Sequence, residues 1–173
     1  MDFIRKIRRN WKAFIVIAIC IGAGMLIPAR FAVTTTPSLD HRVFFITSRS
    51  GEDARRGDYV MIELAGLNAA GRILPEVRNA FEKARETTII KRVACASGDF
   101  LHDEGMLYFC NGAFIGEAKE RTLAGAKTSP FRYAGRIPAG RIFVTGDHKD
   151  SYDSRYFGFI RTADVGAVVL PVL

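Results

Sequence analysis

The stretch TTIIKRVACA, residues 87–96, sets two cations in a run of β-branched and small residues. Such a run predicts a β-strand, on which Lys91 can face the protein interior. Burial would lower the pKa of that amine toward its neutral form, which can act as a general base. The alternative interpretation is that Lys91 and Arg92 simply alternate outward at a sheet edge.

Shorter apolar runs on both sides of this stretch predict a mainly β domain. The other expected strands are Val43–Ile46, Tyr59–Leu64, Met106–Cys110, Ala113–Ile115, Arg141–Thr145 and Val165–Leu170. Residues 66–72 are expected to form a loop, and residues 117–136 show no periodicity. The fold class is therefore mainly β, with a coiled or barrel-like antiparallel sheet.

One soluble helix is predicted over Pro75–Glu86. Apolar residues at Leu74, Val77 and Phe81 follow the helical repeat, and charged residues occupy most of the other positions. We expect this amphipathic helix to lie on the sheet.

The charge of the chain is concentrated at its N-terminus. The 173 residues include 25 Lys+Arg and 18 Asp+Glu, a formal charge of +7, and residues 1–12 contain five basic residues against one acidic residue. This position favours a membrane interaction over a nucleic-acid partner. Length and composition exclude a disordered chain and a protein with many membrane spans, and they indicate one domain.

Residues 13–29 contain no charged side chain. As a helix they would span about 25 Å, close to the hydrocarbon core of about 30 Å. The positive-inside rule then predicts a cytoplasmic segment 1–12, a transmembrane signal-anchor 13–29 and an extracytoplasmic domain 30–173. In a bacterium this is a single-pass protein of the inner membrane whose domain faces the periplasm. The alternative is a leader that is cleaved near the small residues 22–24.

The cysteines predict no metal site. Neither a C-x-x-C motif nor a cluster of His and Cys is present, and no cofactor is expected. Cys95 and Cys110 flank a predicted hairpin in the exported part, where disulfides persist. Because spacing cannot supply the required geometry, a bond between them stays an open question.

Two further blocks are dense in polar residues. TTTPS, residues 34–38, follows the predicted anchor closely, so a hydroxyl there would lie near the membrane surface. GDHKDSYDSRYFG, residues 146–158, holds too many charged and turn-forming residues for a strand.

Four blocks, in this order along the chain, resemble those of the type I signal peptidases, membrane-anchored serine proteases with a Ser/Lys dyad. They are TPSL at residues 36–39, RGDYV at 56–60, KRVACASGD at 91–99 and the block at 146–158, in which DSRYFG is intact. The compact domain is most similar to the conjugative-transfer branch, the TraF-type pilin-processing peptidases. The resemblance implies a sheet of the signal peptidase type.

The resemblance also implies roles for individual residues. Ser38 would be the nucleophile, and a desolvated Lys91 would be the general base that activates it. The oxyanion would be bound by the Ser38 N–H and the Thr36 hydroxyl.

The last block would support the dyad. Ser151 is similar to the serine that orients the lysine, and Asp153 and Arg155 resemble a supporting ion pair. A surface charge cluster that only ties the loop is the alternative interpretation for these residues.

A Ser/His/Asp triad is the rival chemistry. His41, His102 and His148 are available, but the chain has no Gly-x-Ser-x-Gly motif, and a histidine base would leave Lys91 unexplained.

The sequence therefore predicts a serine endopeptidase anchored in membrane lipid. Its expected substrate is an exported protein with small residues before the cut, namely a pilin or another conjugation component. One alternative is a general signal peptidase that removes leaders from secreted preproteins. A second is an anchored, non-catalytic pilus-assembly protein on the same fold.

Overall fold

The computed structural model describes residues 30–34, 38–69, 71, 73–85, 87–123 and 125–173, and also Trp11, Ile15, Gly22 and Gly24. The predicted anchor, residues 13–29, lies outside the described residues apart from three isolated positions, so it stays a prediction. In the part of the chain that is described, no helix is both long and apolar enough to cross a membrane.

The described domain is mainly β and antiparallel, as the sequence predicts. Its strands are β1 (Phe31–Val33), β2 (Val43–Ile46), β3 (Tyr59–Glu63), β4 (Thr88–Cys95), β5 (Phe100–Glu104), β6 (Leu107–Cys110), β7 (Ala113–Glu117), β8 (Ala134–Arg136), β9 (Arg141–Thr145), β10 (Ile160–Arg161) and β11 (Val165–Pro171). They form a seven-stranded sheet in the order β1-β2-β11-β3-β4-β9-β10 and a four-stranded sheet in the order β7-β6-β5-β8.

Strand β4 lies in the larger sheet and carries the decisive stretch. Its partner β3 pairs along its first part, with Val60 opposite Lys91, whereas β9 pairs only from Arg92 onward. A bulge interrupts the pairing with β9 between Val93 and Cys95. One edge of β4 is therefore not paired with β9 at and before Lys91.

The disulfide that the sequence left open forms between Cys95 and Cys110. It joins β4 of the larger sheet to β6 of the smaller one, and both cysteines are fully buried. Aromatic side chains, including Tyr108 and Phe143, pack around it. The smaller sheet is thereby fastened to the strand that carries Lys91.

The main hydrophobic core packs against the larger sheet. It comprises β-branched and other apolar side chains from β3, β4, β9 and β11, including Val60, Ile89, Val144 and Val168. A smaller apolar cluster lies at the β2 side of the sheet and contains Leu39, Phe44, Ile90, Ala167 and Val169.

The prediction of a single soluble helix is wrong, because the described residues contain three: α1 (Leu64–Ala69), α2 (Pro75–Ala84) and α3 (Ser154–Phe157). Helix α1 occupies much of the predicted loop 66–72, where Leu64 and Leu67 pack on the main core. Helix α2 ends two residues earlier than expected, since Arg85 adopts a left-handed conformation with φ of 56°.

The short strands β1, β5, β8 and β10 were not predicted. β5 reads FLHDE, and β8 reads AGR within the stretch that shows no periodicity. Such strands exist because the neighbouring strands supply hydrogen bonds, and not because of their own apolar pattern.

Candidate active site

Strand β4 turns Lys91 into the protein interior. Ile89, Lys91 and Val93 share one face of the strand, and Ile89 and Val93 belong to the main core. The lysine is only 4% exposed. Its Nζ donates a hydrogen bond to the Ser151 hydroxyl across 2.9 Å. The interpretation in which both cations reach solvent therefore fails for Lys91, whereas Arg92 on the opposite face is exposed.

The segment of Ser38 is held against the block at 146–158. The backbone N–H of His148 donates to the Ser38 carbonyl across 3.2 Å. The backbone N–H of Asp40 donates to Oδ2 of Asp147 across 3.3 Å. Leu39 is buried in the smaller apolar cluster, while Ser38 itself is half-buried. These contacts fix the serine backbone and leave the residue partly open to solvent.

Gly146 is the point where Ser38 and Ser151 meet. A Cβ atom built on Gly146 would lie 2.2 Å from the Ser151 hydroxyl oxygen and 2.6 Å from the Ser38 carbonyl oxygen. Only a residue without a side chain fits between them. Because Ser151 also binds Lys91, the close approach at Gly146 brings the three predicted residues into one neighbourhood.

The ion pair of Asp153 and Arg155 is buried and forms the base of the loop. Asp153 is fully buried, and Arg155 is 3% exposed. The guanidinium binds both carboxylate oxygens, with Nε 2.8 Å from Oδ1 and Nη2 2.7 Å from Oδ2. Arg155 Nη2 also donates to the Ser151 carbonyl, and Gly146 N–H donates to Asp153. The pair is therefore not a surface charge cluster. It holds the backbone at Gly146 and at Ser151 by hydrogen bonds.

Charge keeps this arginine ionised despite its burial. Burial by itself acts to lower the pKa of Arg155, but the hydrogen bonds and charge of Asp153 outweigh it and raise the pKa above its ordinary value. The remaining donor, Nη1, reaches the Glu117 carbonyl of β7 at 2.5 Å. The loop is thus also fixed to the smaller sheet.

Asp147, to which the sequence pattern gives no role, links three parts of the site. It accepts a hydrogen bond from the Tyr59 hydroxyl at 3.1 Å and lies 3.8 Å from Nη1 of Arg92. Burial, and next the charge of Asp147, raise the pKa of Tyr59 to about 12, so the phenol stays protonated and remains a donor. Asp147 stands in a block that the sequence singled out, but only the fold brings Tyr59 and Asp40 to it.

The other candidate residues are Thr36 and the histidines of the rival triad. Thr36 lies outside the described residues, so its role stays a prediction. His102 stacks on Phe109 in the smaller sheet, far along the chain from the Ser38 segment. His41 contacts the rings of Phe44 and Tyr59.

A group of potential metal ligands is formed by Cys95, Asp99 and Cys110. The two sulfur atoms are joined to each other in the disulfide, so they are not available as thiolate ligands.

The mainly β fold, with a buried lysine that binds Ser151 beside the Ser38 backbone, fits a class of serine peptidases. The family model described as signal peptidase, peptidase S26, matches residues 7–173, and the chain belongs to this family. It is accordingly a serine hydrolase that processes exported precursor proteins.

The chain is similar to the crystal structure of a signal peptidase I from Enterococcus faecalis V583, with 19% identity and a TM-score of 0.39 over 68% of this chain and 97% of that chain. No curated protein sequence matches the chain.

Proposed function

We propose that the protein is a membrane-anchored endopeptidase in which Ser38 attacks the scissile carbonyl and Lys91 acts as the general base. The observation that carries this proposal is the burial of Lys91 together with its hydrogen bond to Ser151 beside the Ser38 backbone. A serine hydroxyl is a weak nucleophile unless an adjacent base takes its proton. A lysine that has lost its water is such a base, because burial favours the neutral amine.

The proposed reaction follows the usual acyl-enzyme sequence. Lys91 takes the Ser38 proton, the serine oxygen bonds to the carbonyl carbon, and the proton passes to the leaving amine as the scissile C–N bond breaks. A water molecule then hydrolyses the acyl-enzyme and frees Ser38. The Ser38 N–H, with the Thr36 hydroxyl, stabilises the oxyanion. Ser151 orients the amine, since its hydroxyl accepts from Nζ at 2.9 Å. Asp153 and Arg155 position Ser151 through its carbonyl.

Activity is expected to rise with pH as Lys91 loses its proton. The pKa of the buried amine should lie well below its ordinary value of about 10.4, because burial disfavours the charged form. Below that pKa, kcat/KM should increase about tenfold per pH unit and then reach a plateau. A pH series of kcat/KM on a peptide substrate measures this profile.

A matched variant separates lysine from histidine as the base. His148→Gln should keep the same profile, because His148 contacts Ser38 through its backbone N–H and not through its ring. A profile that is flat through the neutral and alkaline range would contradict a lysine base. Loss of the inflection in His148→Gln would favour the triad.

We further propose that residues 13–29 anchor the protein in the inner membrane and that the catalytic domain faces the periplasm. The charge-free run and the basic residues before it support this orientation. The chain between residues 29 and 38 reaches at most about 30 Å, so the cut would lie close to the outer face of the membrane.

The substrate that we propose is a pilin or another conjugation component with small residues before the cut. The compact domain supports this specialised role. The small apolar cluster beside Ser38, which contains Leu39 and Ile90, supports an apolar contact with the residue that precedes the cut. An extended peptide could lie along the edge of β4 that β9 leaves open before Lys91.

Replacing the residue before the cut by Trp is expected to slow processing about 100-fold or more relative to Ala. A closely packed pocket excludes the larger side chain. The series should be run in a pilin precursor and in a secreted preprotein, with the products identified by mass spectrometry. Faster cleavage of the pilin precursor is expected, whereas equal rates would favour a general signal peptidase.

The matched control is Trp placed two residues before the cut, where an extended chain turns its side chain the opposite way. This substrate should be processed at close to the rate of the Ala substrate. Equal cleavage after Ala and after Trp at the first position would contradict the small pocket. A product lighter by one water would indicate cyclisation in place of hydrolysis.

A further inference from the structure

A cleft of about 930 Å³ opens between the two sheets beside the candidate active site. It is lined by the second half of β4, by the segment that follows β9 and by β7. Arg56 and Lys149 are among the residues that line it. A volume of this size accommodates a short stretch of extended polypeptide.

The cleft adjoins the backbone of Ser38. Gly146 and His148 both line it, and both contact the Ser38 carbonyl side of the site. A chain bound at Ser38 would therefore enter the cleft directly.

The cleft is basic. Among the described residues that line it, five are lysine or arginine and two are carboxylates. Three of the five cations are already paired, because Arg92 contacts Asp147, Lys119 contacts Asp150 and Arg155 contacts Asp153.

Arg56 and Lys149 take part in none of the ion pairs found in the described part of the chain. Both side chains are exposed. They can therefore meet a negative charge that enters the cleft.

The residues of β4 before and after Lys91 lie in different surroundings. Ile90, just before it, belongs to the apolar cluster of Leu39 and Phe44. Residues 92–94, just after it, line the basic cleft. A substrate whose small apolar residues lie on the side of Ile90 can place its continuation on the other side.

Strand β7 supplies a backbone partner for that continuation. It is an edge strand of the smaller sheet, paired with β6 on one side only. Its residues 114–117 face the cleft. An exposed strand edge binds an extended peptide through main-chain hydrogen bonds.

We infer that this cleft receives the substrate chain that follows the scissile bond, and that Arg56 and Lys149 select acidic side chains in its first few residues. The inference rests on the proposed function, since it extends the same active site to the leaving side of the cut. The occupant is an acidic peptide segment, and not a small ligand.

The test uses three precursors that are identical up to the cut and carry Asp, Ser or Lys at positions two to four after it. The full-length protein should process them in the order acidic, neutral, basic, with about a tenfold spread in kcat/KM. The double variant Arg56→Glu/Lys149→Glu should reverse this order. Lys83→Glu, which makes the same charge change on exposed α2 outside the cleft, should preserve it.

The outcomes separate this inference from the proposed function. Cleavage of all three precursors at equal rates, or an order that the double variant retains, would refute the cleft assignment and leave the peptidase intact. If Ser38→Ala still cleaves, the proposed function fails. The inference is then judged by fluorescence anisotropy with the labelled acidic and basic product peptides, which should bind the Ser38→Ala protein with the same preference.

A binding measurement also distinguishes a lipid headgroup. Wild type and the double variant should be compared on vesicles of phosphatidylglycerol and on neutral vesicles. If the double variant loses vesicle binding but keeps the order of the three precursors, the cleft binds anionic lipid and the peptide assignment is wrong. An unchanged affinity for vesicles, together with the reversed order, supports the peptide.

Discussion

Replacing Ser38 by Ala, or Lys91 by Ala, is expected to lower kcat/KM for precursor cleavage about 1,000-fold or more. Ser38→Ala removes the oxygen that we propose attacks the carbonyl carbon. Lys91→Ala removes the amine that we propose takes the proton of Ser38. Because the members of a dyad act as a unit, the double variant should be no slower than either single variant. Cleavage of a purified precursor in detergent, followed by mass spectrometry, measures the effect.

The controls test whether the loss is chemical. Lys91→Arg should also be inactive, since a guanidinium stays protonated and cannot serve as a base. Lys83→Ala, on the exposed surface of α2, should keep full activity. Circular dichroism should show that each inactive variant is folded. Substantial cleavage by purified, folded Ser38→Ala would overturn the mechanism.

Arg155→Met is expected to lower the free energy of unfolding by about 3–5 kcal/mol, because it leaves a buried charge uncompensated. Asp153 is fully buried, and the side chain of Arg155 provides two of its hydrogen bonds. A loss of this size is a large part of the usual stability of a domain, about 5–15 kcal/mol. Unfolding in urea, followed by far-UV circular dichroism, measures this loss of stability.

Arg161→Met is the matched control. Arg161 also donates two hydrogen bonds to a carboxylate, that of Asp164. Its side chain, however, is 58% exposed. Such a surface pair contributes about 0–1 kcal/mol. The double variant Asp153→Leu/Arg155→Met should recover part of the stability lost in Arg155→Met. Equal unfolding midpoints for Arg155→Met and Arg161→Met would show that burial does not decide the effect.

The sequence predicted the class of the fold where local pattern and packing agree. The strand at 87–96 and the helix that begins at Pro75 are both visible as runs or repeats of apolar residues. Helix α1 and the short strands β5 and β8 carry no such pattern. Their conformations depend on neighbours that are distant in sequence, so tertiary packing decides them.

The residues of the candidate site stand out in the sequence one by one, but their arrangement does not. Lys91 stood out because a cation interrupts an apolar strand, and its burial agrees with that reasoning. Its contact with Ser151, 60 residues later, needs the fold. The close approach at Gly146 and the links of Asp147 likewise follow from how the loop at 146–158 packs against Ser38. The sequence pattern of the Ser38 segment or of the loop at 146–158 does not predict which of their atoms are in contact.

The cross-link between β4 and β6 ties the assembly of this region to the redox state of its compartment. A bond that closes a loop of this length, with a sequence separation of 15, restricts the unfolded chain by about 3 kcal/mol. Reducing conditions keep thiols apart, so a chain that has not yet left the cytoplasm lacks this restraint. In the orientation that we propose, the strand bearing Lys91 therefore gains this cross-link only after export, on the side of the membrane where the precursors arrive.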